Sequence, residues 1–550
     1  MAVEGKKRVL IFSTTYFPNI GGAEVAIKEI TDRLPDYDFE LICARLDSRL
    51  AKDEKIGRVL VHRLGFGHKL DKLLVPFLGV YKIWQINRAR KINVFWPVMV
   101  TYTAGAAYIY NMLKFWRPIP VVLTLQEGDS EEHLTKRHGG LLDMSWRLAV
   151  PRSAAITALS KYLAERAKAY GAKGEPSVVP NGVGEDYFNV QREKMGKKTD
   201  GRIIVTTSRL VYKNAVDTLI RAMALLPEHK LLIAGDGEER ANLENLAQEL
   251  SLGSRIKFLG TVSREDLPEL LAGADIFCRP SRSEGQGVSF MEAMAAGLPV
   301  IAPPVGGIPD FLTDGETGLF CKVDDPSSIA LKVNLLTSDK KLRTKIVANA
   351  KKLMTDKYGW QGIAQAMSRV FELQLGKGPV VVIAAAIYPP DPGGPALHAS
   401  KYFEEFPKHG LTCRLVAFRD FRKYPKGLSH LFYAFALAKI SIGADLIYAH
   451  DALSSGLPAA TVSKIFGLPL LLRTGGDLLW ERSVETGGKA LSLSRFYEYG
   501  LHNGQVKYFP IKIVLDRAAK IVVPAQIIKD VYVSYYNQSA EKVVVIPNPA

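Results

Sequence analysis

The chain has 550 residues, of which 47% are hydrophobic and 23% charged. That length predicts about three or four domains, and the ordinary globular composition excludes collagen-like, coiled-coil and wholly disordered chains. Lys+Arg 72 against Asp+Glu 56 leaves a formal net charge of +16. The excess suits an anionic partner, whether a nucleoside diphosphate, a nucleic acid or an acidic membrane surface, and does not choose among them.

Cys43, Cys278, Cys321 and Cys413 stand alone. Without a CxxC pair they indicate neither a zinc site nor a disulfide framework, and reduced thiols in a cytosolic protein are the simpler expectation. The first eight residues, Met1 to Arg8, run into a strand-like apolar segment with no signal-peptide h-region. No apolar run reaches the roughly 18 residues of a membrane span.

In chain order, Val9–Ser13 reads as a buried strand, followed by a helix from Ala23 to Leu34 with Ala26, Ile27, Ile30 and Leu34 on one face. Lys69 to Lys91 mixes Leu73, Phe77, Tyr81 and Trp84 with Lys72, Lys82, Arg88 and Arg90. An ordinary packed helix interrupted by Pro76 is the first reading and a basic, membrane-facing surface the second. Further strands are expected at Val121–Leu125, Ala155–Ala158, Ile203–Thr207, Leu231–Ala234, Ile256–Leu259, Ile276–Cys278 and Val300–Ala302. Strands alternating with helix-length segments predict an α/β fold of parallel sheets covered on both faces, with ligands at the carboxyl ends of the strands.

The polar stretch 190–201 and Gly376–Pro379 mark boundaries. The chain also repeats itself. Tyr16, Pro18, Gly21 and Gly22 match Tyr388, Pro390, Gly393 and Gly394 at a constant offset of 372, and Val178-Val-Pro-Asn181 matches Val545-Ile-Pro-Asn548. The expected divisions are 1–181, 182–355, a helix in 356–375, and a third lobe, 376–550, duplicating the first.

The richest chemistry lies in Ala274–Gly297, where a strand, a Pro280-Ser281 turn and Glu284-Gly-Gln-Gly287 lead into a helix. Gly285 and Gly287 allow backbone N–H groups to approach a phosphate, and the helix N-terminus adds partial positive charge. Glu284 is placed to accept hydrogen bonds from sugar hydroxyls, and Glu292, further along the helix, from ribose. Arg209 and Lys213 follow a strand and are suited to stabilise charge on a departing pyrophosphate. Gly21-Gly22, between strand and first helix, permits close approach of a phosphate or acceptor, and does not form the G-x-G-x-x-G fingerprint of nicotinamide binding. Asp36-Tyr-Asp38 is a lone DxD just past a helix end, so no metal is expected.

This segment resembles the E-x7-E signature of retaining GT-B glycosyltransferases, most closely glycosyltransferase family 4. Glu284 and Glu292 keep its spacing, Arg209-Leu-Val-Tyr-Lys213 resembles its R-L-x-x-K stretch, and Gly235-Asp-Gly237 and Gly306-Gly307 resemble its glycine turns. The resemblance implies two Rossmann-like lobes, with a third from the repeat, and a helix near Tyr358–Leu373 crossing back to the first lobe. It implies catalytic roles for Glu284, Arg209 and Lys213, and donor binding by Gly21, Gly22, Gly235, Gly285, Gln286, Gly287 and Glu292. The reaction would be front-face transfer from a nucleotide-diphosphate sugar to a glycan or lipid-linked acceptor, without metal or other cofactor and without nucleic acid. The expected location is cytoplasmic, with peripheral contact to an anionic membrane.

The first lobe departs from the family pattern. Gln126 stands where T-x-H is expected, and a D-x-x-x-H histidine is replaced near Pro97-Val98. Glu127 and Asp129 are assigned to the acceptor side. The repeat keeps Asp445-Leu-Ile-Tyr-Ala-His450 but has no counterpart of Glu284. A binding or scaffold role is therefore the alternative for residues 376–550, which would otherwise be part of a truncated tandem enzyme, and a nicotinamide-dependent oxidoreductase is a remoter one.

Overall fold

A computed structural model describes residues 6–128, 141–190, 202–376, 378–425, 427–486, 491–502 and 507–547. Asp129, Asn548 and the linker beyond Val190 lie outside the described residues. The chain divides into two compact units, Met1–Tyr110 with Ile119–Gln374, and Asn111–Pro118 with Leu375–Ala550.

The first unit holds two doubly wound lobes. In the first lobe, β1 (Lys7–Phe12), β2 (Tyr37–Ala44), β3 (Asp53–Ile56), β4 (Val59–Leu64) and β5 (Val94–Pro97) pair in the order β3-β4-β2-β1-β5. All pairs but β3–β4 are parallel. Three more parallel strands, β6 (Val122–Leu125), β7 (Ala155–Ala158) and β8 (Ser177–Val178), continue this surface through bridges Phe95↔Val121 and Val98↔Thr124. These strands are apolar runs because both faces are covered. On one face Leu10, Phe12 and Phe95 pack with Val75, Ile83, Ala106 and Tyr110. They belong to α2 (Val75–Ala89) and α3 (Gly105–Leu113), which follow α1 (Gly22–Asp32) in the chain.

The second lobe contributes β9 (Ile203–Thr207), β10 (Lys230–Ala234), β11 (Ile256–Gly260), β12 (Ile276–Cys278), β13 (Val300–Ala302) and β14 (Leu319–Phe320), all parallel. Their order, β11-β10-β9-β12-β13-β14, reverses direction between β9 and β12. In such sheets the crevice at that reversal, beyond the carboxyl ends, is where ligands bind.

The helix Trp360–Leu375 packs on the first lobe. Phe371 meets the Trp96 ring at 5.3 Å, Lys7 Nζ lies 2.5 Å from Glu372, and the Tyr37 hydroxyl donates to Glu372. Gly182, at the crossing between lobes, packs under this helix, since a Cβ there would stand 2.8 Å from Trp360.

The second unit has its own core around Val382, Ala384, Ile447, Leu472 and Val523. Its strands are β15 (Val380–Ala385), β16 (Thr412–Ala417), β17 (Leu446–Ala449), β18 (Leu470–Arg473), β19 (Lys520–Val523) and β20 (Val543–Val545), ordered β16-β15-β17-β18-β19-β20. The same succession runs through β2-β1-β5 and on through β6-β7-β8. Among the described residues, no helix is long and apolar enough to cross a membrane.

Candidate functional site

The loops after β9 and β12 flank the reversal in the second sheet, and their backbones are joined. The Arg282 N–H donates to the Lys213 carbonyl at 2.7 Å. The Arg282 side chain bonds the Tyr212 carbonyl at 2.6 Å, stacks on the Tyr212 ring at 4.1 Å and pairs with Asp217 and Asp324, each at 2.8 Å. Asn214, buried, donates to the Arg209 carbonyl at 2.6 Å. Arg209 is exposed and Lys213 half-buried. The fold thus holds the segment bearing both cations while leaving the Arg209 side chain facing solvent.

Glu284 is more than a loop carboxylate. Its Oε2 lies 2.5 Å from Arg279 Nη2, and its Oε1 accepts from the Gly285 N–H at 3.2 Å. Arg279 is buried, stacks on Phe290 at 4.2 Å, and donates to Ser281 Oγ, Ser289 Oγ and the Thr207 carbonyl. Glu284 is the counter-charge of a buried guanidinium. Burial lowers the Arg279 pKa, and Glu284 and Glu292 oppose that shift. The signal for Arg279 was a lone arginine at the end of an apolar strand, five residues before the glutamate.

The Glu284 loop is shaped by backbone contact. Gly306 has φ +57°, and a Cβ there would lie 1.8 Å from the Glu284 carbonyl oxygen. A Cβ on Gly307 would stand 2.2 Å from the Gly285 carbonyl oxygen. Gly287, with φ +87°, caps the helix Val288–Ala295. Glu292 lies on that helix beside Tyr187 and Arg264; burial pushes its carboxyl up, against lowering influences from Tyr187, Arg264 and Arg279.

From the first lobe, the loop after β6 meets this motif. Ser283 Oγ donates to the Gly128 carbonyl at 2.9 Å, and a Cβ on Gly128 would lie 2.6 Å from the Gly285 nitrogen. Glu127 is buried and accepts from the Val100 and Gln126 N–H groups, so it fastens the loops after β5 and β6. Gly21 and Gly22 are exposed at the carboxyl end of β1, where the Gly21 N–H donates to Glu24 at 2.9 Å.

Two predicted donor residues make close contacts within the protein. Gln286 is buried and clamps Asn181, accepting from its N–H at 2.9 Å and donating to its carbonyl at 3.2 Å. Gly235 serves a close approach: its φ is +136°, and a Cβ would stand 1.9 Å from the Ser208 carbonyl oxygen. A surface cavity of about 420 Å³, lined by Lys6, Arg8, Asp38 and Arg90, opens at the amino ends of β1 and β2, opposite the site. Asp38 of the DxD pairs there with Arg90 at 2.5 Å.

In the first unit these loops bring residues of both α/β lobes together around the candidate site. Residues 188–353 match the family model Glycosyl transferases group 1, and residues 20–187 match Glycosyltransferase Family 4. Residues 20–353 are thus matched from end to end by two glycosyltransferase family models. An uncharacterized glycosyltransferase of Methanocaldococcus jannaschii is 35% identical over 36% of this chain and 54% of its own length. A lipopolysaccharide core biosynthesis glycosyltransferase of Rhizobium meliloti is 32% identical over 37% of this chain and 60% of its own. The chain thus spans a little over half the length of these curated relatives. The structure of HepE from Anabaena, in complex with UDP and glucose, shares the fold, with a TM-score of 0.54 at 21% identity over 67% of this chain and all of that one.

Proposed function

We propose that residues 6–376 form a retaining glycosyltransferase that moves a hexosyl group from a nucleoside-diphosphate sugar to a hydroxyl of a glycan or lipid-linked acceptor. The carrying observation is the convergence of the Arg209–Lys213 loop and the Glu284–Gly287 loop at the reversal between β9 and β12. HepE, solved with UDP and glucose, and the lipopolysaccharide enzyme support the donor and acceptor classes.

In this reading the diphosphate sits against Arg209 and Lys213, Glu284 holds the sugar hydroxyls, and Glu292 holds the ribose. The bond from the anomeric carbon to phosphate oxygen breaks, and the acceptor oxygen bonds to that carbon on the same face. The acceptor proton passes to the leaving diphosphate, so no side-chain nucleophile is used. Preorganised cations stabilise the charge that develops on the leaving group. Arg209 and Lys213 fill the role of a divalent cation, so turnover persists in chelator. The acceptor brings the enzyme to the inner face of an anionic membrane.

Residues 376–550 are proposed as a second copy of the first lobe with a binding role. His450, after β17, favours this: it is buried, and its Nε2 has no hydrogen-bond partner among the described residues.

The test is thermal shift of the full chain with a panel of nucleoside diphosphates and their sugars. It is followed by the anomeric configuration of the product made from the stabilising donor. A stabilising donor and retained configuration support the reading. No stabilisation by any nucleoside diphosphate, or an inverted product, contradicts it.

A further inference from the structure

A surface helix normally turns apolar residues inward and polar residues outward. α2 does not. Val75, Gly79, Ile83 and Ile86 are buried, yet the opposite stripe carries Phe77, Tyr81 and Trp84, all exposed. Phe77 is 70% and Tyr81 61% exposed. The preceding turn adds Phe66, 79% exposed, and Leu70, 63% exposed, with Leu73 and Leu74 beside them. Two of the large side chains are held by contacts with their neighbours. The Tyr81 and Trp84 rings stack at 5.9 Å, and the Arg88 guanidinium lies 5.3 Å from the Trp84 ring centre.

The charge on this segment has one sign. Between Phe66 and Lys91 stand Lys69, Lys72, Lys82, Arg88, Arg90 and Lys91, against a single acid, Asp71. Asp71 is buried, and its carboxylate accepts the N–H groups of Phe66, Gly67 and His68 at 2.7, 2.7 and 2.9 Å. It therefore fixes the turn that presents Phe66 and offers no negative charge to a partner. Acids that meet this segment or flank it on β2 and β3 are engaged: Asp38 with Arg90, Asp53 with His62 and Lys82, and Glu54 with Arg63.

The patch starts at the ligand-binding edge of the first lobe. Phe66 to Leu74 follow β4 at its carboxyl end. Pro76 lies 3.5 Å from where a Gly105 Cβ would stand, and Gly105 opens α3 just beyond the loop that Glu127 fastens.

We propose that Phe66, Leu70, Phe77, Tyr81 and Trp84, flanked by Lys69, Lys72 and Arg88, form a docking surface for an anionic lipid bilayer. The aromatic and leucine side chains enter the headgroup–acyl boundary while the cations meet lipid phosphates. A protein partner would need acidic complementarity around an apolar centre. A bilayer supplies both together at the edge where an acceptor must enter. Only the biological purpose of this surface rests on the lipid-acceptor part of the proposed function; the binding itself does not.

The test uses the full chain in sedimentation with phosphatidylcholine vesicles, with and without phosphatidylglycerol. The wild-type chain is expected to bind the phosphatidylglycerol vesicles and to release as salt rises. Phe77→Glu and the pair Lys69→Glu/Lys72→Glu each weaken that binding by at least about tenfold, at roughly fivefold per removed charge. Their melting temperatures and their stabilisation by nucleoside diphosphate stay at wild-type values, because every altered side chain is exposed. Binding that is undiminished in both variants overturns the proposal, as does absence of binding to anionic vesicles. Concentration-dependent self-association that Phe77→Glu abolishes, without vesicle binding, also overturns it, assigning the face to a second copy of the chain. Loss of nucleotide stabilisation in the wild type would count against the transferase reading alone.

Discussion

Arg279 and Glu284 form an ion pair, 2.5 Å apart, inside the loop that carries the donor motif. The Arg279 side chain is 8% and that of Glu284 15% exposed, so the buried guanidinium depends on this carboxylate. Removing one partner of such a pair is expected to cost about 3–5 kcal/mol. Glu284→Gln is predicted to lower unfolding free energy in urea by about 3 kcal/mol and turnover by at least about a hundredfold. The double change Arg279→Met/Glu284→Gln recovers part of the stability and none of the turnover. A Glu284→Gln protein as stable as wild type would show that the pair carries no folding energy.

Glu292 works against stability. Burial raises its carboxyl pKa above the ordinary value of 4.5, despite the lowering by Tyr187, Arg264 and Arg279. For an acid with a raised folded pKa, the ionised form is penalised in the native state at neutral pH. The penalty disappears as pH falls through the folded value toward the unfolded one. Glu292→Gln is therefore predicted to melt at or above the wild-type temperature at pH 7, with the gap closing toward pH 4.5. The same variant should bind nucleosides more weakly. A lower melting temperature across the whole pH range would contradict this.

The strands were legible because parallel sheets buried on both faces write themselves as apolar runs, as at Val9–Phe12 and Ile203–Thr207. The Glu284 motif was legible because its glycines and glutamates keep fixed local spacing. What the sequence hid is long-range. Gln286 reads like a donor residue from its neighbours, but its amide is taken by Asn181, 105 residues earlier. Gly235 and Gly306 were visible as glycine turns, but only the folded chain shows that they stand where two backbones touch. Glu127 was placed at the cleft, and its loop is there, but its carboxylate ties down Val100. The outer stripe of α2 was visible as mixed composition, but only the folded helix shows Phe77, Tyr81 and Trp84 left uncovered.

The close approach at Gly306 makes a direct test of loop shape. Gly306→Ala combines a left-handed φ with a Cβ 1.8 Å from the Glu284 carbonyl oxygen. Gly315, with φ +72° and nothing within 4 Å of its Cβ position, carries the conformational penalty alone. Gly315→Ala should cost about 1–2 kcal/mol and leave donor binding intact. Gly306→Ala should cost more, about 3 kcal/mol or above, and reduce donor affinity because Glu284 is displaced. Urea unfolding and donor titration measure both; equal losses for the two variants would remove the contact with Glu284 from the account.

Lys213 separates diphosphate recognition from nucleoside recognition. Its carbonyl is fixed by the Arg282 N–H at 2.7 Å, so the backbone of the loop should keep its course when the side chain is removed. Lys213→Ala is therefore predicted to leave the melting temperature within a few degrees of wild type. A charge-assisted contact to phosphate contributes roughly 1.5–3 kcal/mol. Nucleoside diphosphate affinity should fall by about tenfold or more, while affinity for the bare nucleoside stays within about twofold. Arg209→Ala should give the same pattern, since its exposed guanidinium sits on the same loop. Calorimetric titration of both ligands against both variants provides the measurement. Parallel losses for nucleoside and diphosphate would move Lys213 and Arg209 away from the leaving group and leave the transition-state charge to other groups.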